Sequence, residues 1–276
     1  MSGILFVVAT PIGNLEDLTP RARQTLAEVS LVAAEDTRHT GRLLMHIGCK
    51  TRLMALHDHN EEKVISSILA MLKDGEQVAL VSDAGTPLVS DPGFRLVRAA
   101  HEHGITVSPI PGASAVTAAL SVAGIPTDRF CFEGFPPSKR AARKDWLLDL
   151  AGERRTLIIF ESVHRIDDCL SDMVAVFGSE RKAFIGREIT KLHEQCVQES
   201  LGELRRQVED KRITGKGEFV IVVSGSSEQQ DSPLEVDRLL SALSARLSAK
   251  DSAKVAAEAT GLKRNALYER LLQLKV

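Results

Sequence analysis

Residues 78 to 93 read Val-Ala-Leu-Val-Ser-Asp-Ala-Gly-Thr-Pro-Leu-Val-Ser-Asp-Pro-Gly, and this stretch decides the fold. Its first four residues form an apolar run without polar alternation, which predicts a strand buried on both faces of a parallel sheet. At Ser82 the run gives way to a loop with two Asp-containing turns, and a helical pattern resumes at Phe94. Open α/β sheets bind ligands beyond the carboxyl ends of their strands, so the loop is a candidate ligand site. A helix-capping Asp followed by two turns is the competing explanation.

The same strand, loop and helix pattern surrounds this stretch in the first half of the chain. Further strands are predicted at residues 4–9, 31–35, 53–56 and from Ile105 onward, each followed by a polar loop. Pro20 suits the first position of a helix that Thr19 would cap. This regular alternation predicts an α/β fold with a parallel sheet.

A second α/β set follows a plausible boundary at residues 124–126. Its strands are expected near residues 130–133, 157–160, 182–187, 194–198 and 219–223. The Ser-, Gln- and Asp-rich residues 224–233 suggest a linker, and the remaining residues have a helical pattern. We therefore predict an N-terminal α/β domain at 1–124, a second α/β domain at 125–224, a linker at 225–234 and a helical segment at 235–276.

Composition indicates a soluble globular protein, with 43% hydrophobic and 26% charged residues among 276. The apolar runs are of strand length, well short of the roughly 20 residues that a membrane-spanning helix needs. No basic segment precedes the first apolar run, so we expect a cytoplasmic location and no membrane partner. The four cysteines lack Cys-x-x-Cys spacing, which favours reduced thiols. A net charge of -2 leaves room for a local basic patch.

Several common catalytic motifs are absent from the sequence. It contains neither Gly-x-Gly-x-x-Gly nor a Walker loop, which argues against a site that holds a polyphosphate. Gly-x-Ser-x-Gly and His-Glu-x-x-His are also missing, which argues against the common hydrolases. His57-Asp58-His59 contains metal-ligating residue types, but a turn would separate them, so we expect no metal site.

Nine motifs occur in a characteristic order. With the stretch quoted first, they are Val-Ala-Thr-Pro-Ile-Gly-Asn-Leu (8–15), Ala-Glu-Asp-Thr-Arg-His-Thr-Gly (34–41), Leu-His-Asp-His-Asn-Glu (56–61), Pro-Gly-Ala-Ser-Ala (111–115), Phe-Glu-Gly-Phe-Pro-Pro (132–137), Phe-Glu-Ser-Val-His-Arg (160–165), Arg-Glu-Ile-Thr-Lys (187–191) and Lys-Gly-Glu-Phe-Val (216–220). Over about residues 4–224 the chain resembles the tetrapyrrole methylase superfamily, and more closely its ribosomal RNA branch. Tetrapyrrole-making members have a glycine-rich first loop that ends in Asp. The single glycine of residues 10–14 therefore argues against a tetrapyrrole substrate.

The resemblance implies an S-adenosylmethionine-dependent enzyme, typically a homodimer, with the cofactor in a cleft between two α/β domains. The ribosomal RNA branch methylates the ribose 2'-hydroxyl of a cytidine in the decoding region of 16S rRNA, so the implied partner is that RNA or the assembled small subunit. Carried over by motif, the implied cofactor-binding residues are Thr10, Pro11, Gly13, Ser82, Asp83, Ala84, Gly85, Pro87, Ser114, Ala115, Phe160, Gly217, Glu218 and Phe219.

Methyl transfer to a hydroxyl needs mainly positioning, which can supply roughly 7 to 11 kcal/mol. A general base adds on the order of 10² to 10⁴ in rate. The candidates for a base or a hydroxyl-orienting group are Glu161, His164, Glu188, Asp36 and His57. Each of them could equally cap a helix or form a structural ion pair.

Two basic segments are candidate RNA contacts. Lys139, Arg140, Arg143 and Lys144 lie at a predicted helix start, where cations are electrostatically unfavourable unless a phosphate is near. Lys263 and Arg264 follow an alanine-rich helix and Gly261 in an arrangement that resembles a helix-turn-helix. Residues 246–275 contain seven cations and three carboxylates, which suits nucleic-acid docking. A solvated helix start and a small helical cap are the competing structural explanations.

Two other functions fit parts of the pattern. The same core could methylate a small molecule or a protein side chain, although the basic segments argue against it. The chain could also be a ligand-sensing helix-turn-helix regulator without enzymatic activity. Removal of the tail should spare a small-substrate enzyme, and duplex DNA binding without methyl transfer would indicate a regulator.

Overall fold

A computed structural model of the protein describes residues 2–57, 60–226, 233–260 and 262–274. The chain divides into two compact units, one of residues 1–147 and 155–224 and one of residues 148–154 and 225–276. The first unit contains both predicted α/β sets, and the second contains the helical tail. Most of the predicted linker lies outside the described residues, and the predicted boundary at 124–126 stays a prediction.

The first sheet is parallel throughout, as the sequence predicts. Its strand order is β3-β2-β4-β1-β5. The strands are β1 (Ile4–Val8), β2 (Leu31–Ala34), β3 (Leu53–Ala55), β4 (Val78–Val81) and β5 (Thr106–Ile110). The helices of this part are α1 (Pro20–Glu28), α2 (Thr37–His46), α3 (Glu61–Lys73), α4 (Phe94–Glu102) and α5 (Ala115–Val122). All residues of β2 and β4 are buried, which explains their continuous apolar runs.

The predicted start of α1 is confirmed in detail. Pro20 is its first residue, and the Thr19 hydroxyl accepts a hydrogen bond from the backbone N–H of Ala22. Proline suits this position because the first N–H groups of a helix have no partner within the helix.

The second sheet has the order β6-β7-β10-β8-β9 and is mixed. Only β6 and β7 pair in parallel within the described residues; β10 is antiparallel to both β7 and β8, and β8 is antiparallel to β9. The strands are β6 (Phe130–Gly134), β7 (Thr156–Ser162), β8 (Lys182–Arg187), β9 (Gln195–Ser200) and β10 (Glu218–Val223). The accompanying helices are α6 (Arg140–Leu150), α7 (Ile166–Phe177) and α8 (Leu201–Glu209).

The helical tail has its own small core. Its helices are α9 (Pro233–Ser244), α10 (Ala249–Thr260) and α11 (Arg264–Gln273). Their buried residues include Leu240, Ala253 and Leu271. Arg270 of α11 donates to the carboxylate of Asp237 in α9 at 2.6 Å, which ties the first and last helices of the tail together.

A buried carboxylate in α7 organises the basic start of α6. Asp172 is fully buried and accepts hydrogen bonds from Arg143 at 2.9 Å and from Arg140 at 3.1 Å. The Lys144 ammonium lies 3.9 Å from the same carboxylate. Arg143 is 2% exposed, so its charge serves the ion pair. A buried carboxylate needs such partners because its desolvation is costly.

Replacing Arg143 by alanine is expected to lower the free energy of unfolding by about 3 kcal/mol, because Asp172 would keep a buried charge without its main partner. The value is at the low end for buried pairs since Arg140 and Lys144 remain close. Lys139→Ala removes an exposed cation from the same segment and should change stability by less than about 0.5 kcal/mol. Urea unfolding measures both, and equal stability of the two variants would contradict this role of Arg143.

Candidate active site

A cavity of about 430 Å³ lies between the two sheets of the first unit. Its lining comes from the loops after β2 and β4, the start of α5, and strands of the second sheet. The lining residues are Ile12, Glu35, Asp83, Ala84, Gly85, Thr86, Val89, Ser90, Asp91, Ser114, Ala115, Phe135, Phe160, Glu161, Ser162, Gly186, Ile189, Lys191, Glu218, Phe219 and Val220. The cavity volume falls in the range of small-molecule sites.

The loop after β1 and the loop after β4 are joined by a backbone bridge. The N–H of Thr10 donates to the carbonyl of Gly85 at 2.9 Å, and the N–H of Gly85 donates back to Thr10 at 3.0 Å. Gly85 has a φ of 79°, which glycine adopts without the strain that a side chain would add. The bridge therefore fixes the floor of the cavity at the carboxyl ends of two neighbouring strands.

One wall of the cavity is acidic. It contains Glu35, Asp83 and Asp91, and Asp83 accepts a hydrogen bond from the backbone N–H of Asp36 at 3.0 Å. Burial raises the pKa of Asp91 to about 6, the nearby Ser82 hydroxyl offsets part of this rise, and the charges of Glu35 and Asp83 raise the pKa further. A carboxyl group with this pKa exchanges protons close to neutral pH.

The opposite wall is aromatic and apolar. The ring of Phe160 packs edge-on against Phe132, with centroids 4.8 Å apart, and against Phe135 at 5.6 Å. Phe135 is 52% exposed although it is a large apolar residue. An aromatic surface that stays open on a cavity wall is suited to stacking with a planar ligand group.

The Lys191 ammonium forms the charged rim of this wall. It bridges the carboxylates of Glu188 at 2.8 Å and Glu218 at 2.9 Å. Burial alone would raise the pKa of Glu188, but hydrogen bonds from Lys191 and from the backbone N–H of Glu218 lower it overall. A Cβ atom on Gly217 would lie 2.5 Å from the Glu188 carboxylate, and the φ of 97° at Gly217 is one that residues with a side chain rarely adopt.

Backbone strain is concentrated in two loops that line the cavity. Among the described residues, five non-glycine residues have positive φ, and four of them are Leu88, Ser90, Glu188 and Thr190. The loop with Glu188 and Thr190 also contacts the loop after β1, since the Asn14 N–H donates to the Thr190 hydroxyl at 3.2 Å. Left-handed conformations at non-glycine residues cost of the order of 1 kcal/mol or more and persist where surrounding contacts hold them, often at functional sites.

The structure brings eight of the fourteen predicted cofactor residues to the cavity. These are Asp83, Ala84, Gly85, Ser114, Ala115, Phe160, Glu218 and Phe219. The other six, which lie in the same segments but not in the lining, are Thr10, Pro11, Gly13, Ser82, Pro87 and Gly217. Thr10 and Ser82 are buried, and the Thr10 hydroxyl donates to the Ser82 carbonyl at 3.3 Å. They hold the loops in place beneath the cavity.

Of the predicted bases, only Glu161 is part of the cavity lining found in the described chain. Its Oε1 is bound by Arg165 at 2.8 Å and by the Ser162 N–H at 2.7 Å, and its buried Oε2 has no hydrogen bond in that part of the chain. Glu188 lies behind Lys191. Glu161 therefore forms a structural ion pair with Arg165, and its Oε2 atom can still accept a hydrogen bond.

The other candidate bases do not line the cavity. Asp36 caps α2, and hydrogen bonds from Arg38 lower the pKa of its carboxyl group. His164 is exposed, and His57 is half-buried near the start of the loop after β3. The neighbours of His57 in the sequence motif, Asp58 and His59, lie outside the described residues. No group of three or more histidine, cysteine or acidic side chains in the described residues could hold a metal ion.

Not all the predicted RNA contacts are available for binding. Arg143 is 2% exposed and paired with Asp172, which favours an ion-pair role over the RNA contact predicted for it. Lys139 is exposed, Arg140 is 68% exposed and Lys144 is 44% exposed, so these cations keep accessible surface. In the tail, Lys263 precedes α11 and Arg264 begins it, both exposed.

Sequence reasoning missed several residues of the cavity, most notably Asp91, Glu35 and Lys191. Asp91 lies in the loop after β4, within residues 78–93, and Glu35 directly follows β2. The position of polar residues after a strand is a usable signal for both. Lys191 belongs to the Arg-Glu-Ile-Thr-Lys motif, in which only Glu188 was predicted to be a functional residue.

Comparisons with known proteins identify the class. Residues 5–205 match the family described as tetrapyrrole (corrin/porphyrin) methylases. The solved structure of the methyltransferase CobJ covers 84% of this chain and 98% of its own, with a TM-score of 0.60 at 20% identity. The structure of uroporphyrin-III-C-methyltransferase from Thermus thermophilus, solved with S-adenosyl homocysteine, covers 80% of this chain and 97% of its own. Its TM-score is 0.53 at 17% identity. The first unit thus has the tetrapyrrole methylase fold.

More similar relatives identify the branch. A relative from Xylella fastidiosa is 52% identical over 267 residues, 96% of this chain and 98% of its own, and one from Escherichia coli O157:H7 is 50% identical over 272 residues, 98% and 95%. Both are named ribosomal RNA small subunit methyltransferase I. Residues 230–275 match the family described as the RsmI C-terminal HTH domain. The chain belongs to the ribosomal RNA small subunit methyltransferase I family.

Proposed function

We propose that the protein transfers a methyl group from S-adenosylmethionine to the ribose 2'-hydroxyl of a cytidine in the decoding region of small-subunit ribosomal RNA. The observation that carries this proposal is the cavity between the sheets, which combines an acidic wall with an aromatic one. The names of the relatives at about 50% identity support the ribosomal RNA substrate. The same proposal includes three further points. The protein is a homodimer, it is located in the cytoplasm, and its partner is the ribosomal RNA or the assembled small subunit. No helix of the described residues has the length and apolar character needed to cross a membrane.

The cavity residues fit the cofactor. A sulfonium donor carries positive charge, which the acidic wall with Asp83 would favour, and its adenine ring is suited to the open face of Phe160 and Phe135. Ser114 and Ala115 at the start of α5 leave space because their side chains are small. When bound, S-adenosylmethionine supplies an activated methyl group.

Asp91 is the cavity residue best suited to act as the base. Its carboxylate would accept the proton of the ribose 2'-hydroxyl as that oxygen receives the methyl group. The methyl carbon–sulfur bond would break in the same step, S-adenosyl homocysteine would be the leaving group, and the carboxyl group would later release the proton to solvent. The raised pKa matches this task, since the group is ionised at neutral pH and still basic enough to take a proton. Asp91 directly follows Ser90, which has a positive φ, in the loop that places the carboxylate at the cavity wall.

The function is tested by incubating the protein with methyl-labelled S-adenosylmethionine and small ribosomal subunits from a strain that lacks this enzyme. Nuclease digestion and mass spectrometry then identify the labelled nucleoside. We expect 2'-O-methylcytidine. Label confined to a base or to ribosomal protein would refute the proposal, and so would the absence of transfer by a protein that binds the cofactor.

Ending the chain at residue 232 removes helices α9, α10 and α11. Because the tail has its own core, the first unit should stay folded and keep its affinity for S-adenosylmethionine. Methyl transfer to small subunits should fall at least tenfold, through a higher KM for the RNA substrate. Steady-state kinetics and calorimetric titration measure the two effects. An unchanged KM would instead favour a small-molecule substrate.

A further inference from the structure

A second cavity, of about 470 Å³, lies at the end of β8. Its lining residues are Arg187, His193, Glu194, Gln195, Thr214 and Lys216. Gly186 lines the cavity between the sheets, and Arg187 is the next residue of the strand. Successive side chains of a strand point to opposite faces of the sheet, so the Arg187 side chain points away from the first cavity. The loop of residues 188–194 contributes to both cavities.

Arg187 is a buried cation held by neutral oxygen atoms. It is 6% exposed, and its Nη1 donates to the carbonyl of His193 at 2.8 Å and to Oε1 of Gln195 at 3.1 Å. Its Nε donates to the carbonyl of Lys216. Within the described chain, no carboxylate forms an ion pair with Arg187 and no hydrogen bond reaches its Nη2. Buried arginines are usually paired with an anion, because desolvation of the charge is costly.

The other groups around this cavity leave a positive excess. Lys216 is exposed, and its ammonium has no ion pair with any described residue. The imidazole of His193 is exposed. The one carboxylate of the lining, that of Glu194, accepts the Thr190 N–H at 2.6 Å and so serves its own loop. The lining thus offers the Nη2 group of Arg187 and the ammonium of Lys216 to one anion.

We propose that this second cavity binds a backbone phosphate of the RNA substrate, through Nη2 of Arg187 and the ammonium of Lys216. The inference rests on the proposed function, because the RNA supplies the phosphate. Arginine and lysine are the side chains that bind phosphate in proteins, arginine with a planar fork and lysine as a point charge. An RNA with its target ribose at the first cavity would extend past the shared loop to reach the second.

The test compares RNA binding by full-length variants. Lys216→Ala should lower the affinity for a 16S rRNA transcript on the order of fivefold at 0.1 M salt and reduce the salt slope by roughly 0.7 to 0.9, the loss of one phosphate contact. Lys216→Glu should lower the affinity further. The matched control is Lys182→Ala, an exposed lysine at the other end of β8, roughly 17 Å away along the strand, which should bind RNA like the unaltered protein. Arg187 is left intact since its hydrogen bonds hold two loops.

Filter binding at several salt concentrations gives the affinities and slopes, and calorimetric titration with S-adenosylmethionine should give the same affinity for all variants. Unchanged RNA affinity and slope in both Lys216 variants would overturn the phosphate site, as would an equal loss in Lys182→Ala. Failure of the proposed function is a separate result. It would be seen as absence of methyl transfer by the unaltered protein, whatever the RNA affinities of the variants.

Discussion

Replacing Asp91 by asparagine is expected to lower kcat for methyl transfer on the order of 10² to 10⁴. The affinity for S-adenosylmethionine should fall much less, because Glu35 and Asp83 remain in the acidic wall. The substitution keeps the size of the side chain and removes the group that accepts the 2'-hydroxyl proton. Single-turnover methylation of small subunits measures the chemical step. Asp74→Asn, at the exposed end of α3, is the matched control and should leave the rate unchanged.

The rate of methyl transfer should also depend on pH, and the pKa of Asp91 determines how. The base works only when ionised, and the pKa of Asp91 is raised to about 6, so the rate of the unaltered enzyme should rise with pH through 6 and level off above about 7. The Asp91→Asn variant should lack this rise. Because ionisation of the buried carboxyl is unfavourable in the folded state, the variant should be no less stable than the unaltered protein at pH 8. A variant that keeps both rate and pH profile would exclude Asp91 as the base.

Replacing Asp83 by alanine is expected to lower the affinity for S-adenosylmethionine roughly 10- to 100-fold, the effect of losing a charge-assisted hydrogen bond of about 1.5 to 3 kcal/mol. Its carboxylate lies in the acidic wall at the carboxyl end of β4. Calorimetric titration with the cofactor gives the affinity, and thermal unfolding of the free protein shows whether the fold is retained.

A second variant of Asp83 separates the effect of its charge from that of its hydrogen bond, and a variant at another position serves as the control. Asp83→Asn keeps an oxygen that can accept the hydrogen bond from the Asp36 N–H, so any loss of affinity in this variant reports the charge. Asp128→Ala removes an exposed carboxylate outside the cavity and should bind the cofactor normally. Normal cofactor binding by a folded Asp83→Ala protein would contradict the assignment of the acidic wall.

The first sheet and much of the cavity could be predicted because they depend on local sequence. The apolar run at residues 78–81 and the turn residues after it are sufficient for a buried parallel strand followed by a ligand loop. Parallel strands also place their following loops at one edge, so Asp83 and Ser114, which lie far apart in the sequence, could be assigned to one site.

Features that depend on distant residues could not be predicted in this way. Arg143 is buried because Asp172 lies opposite it in another helix, and nothing near residue 143 indicates that partner. The apolar run of β10 has no signal for its direction, so the mixed second sheet was not foreseen. The pKa of Asp91 depends on burial and on the charges of Glu35 and Asp83, which the fold brings together.

A crystal structure of the protein soaked with S-adenosyl homocysteine would show directly whether the cofactor binds in the cavity between the two sheets. Density for the ligand is expected in the cavity between the sheets, with the acidic wall at Asp83 on one side and Phe160 and Phe135 on the other. Ligand density at any other place, with this cavity filled only by water, would contradict this expectation.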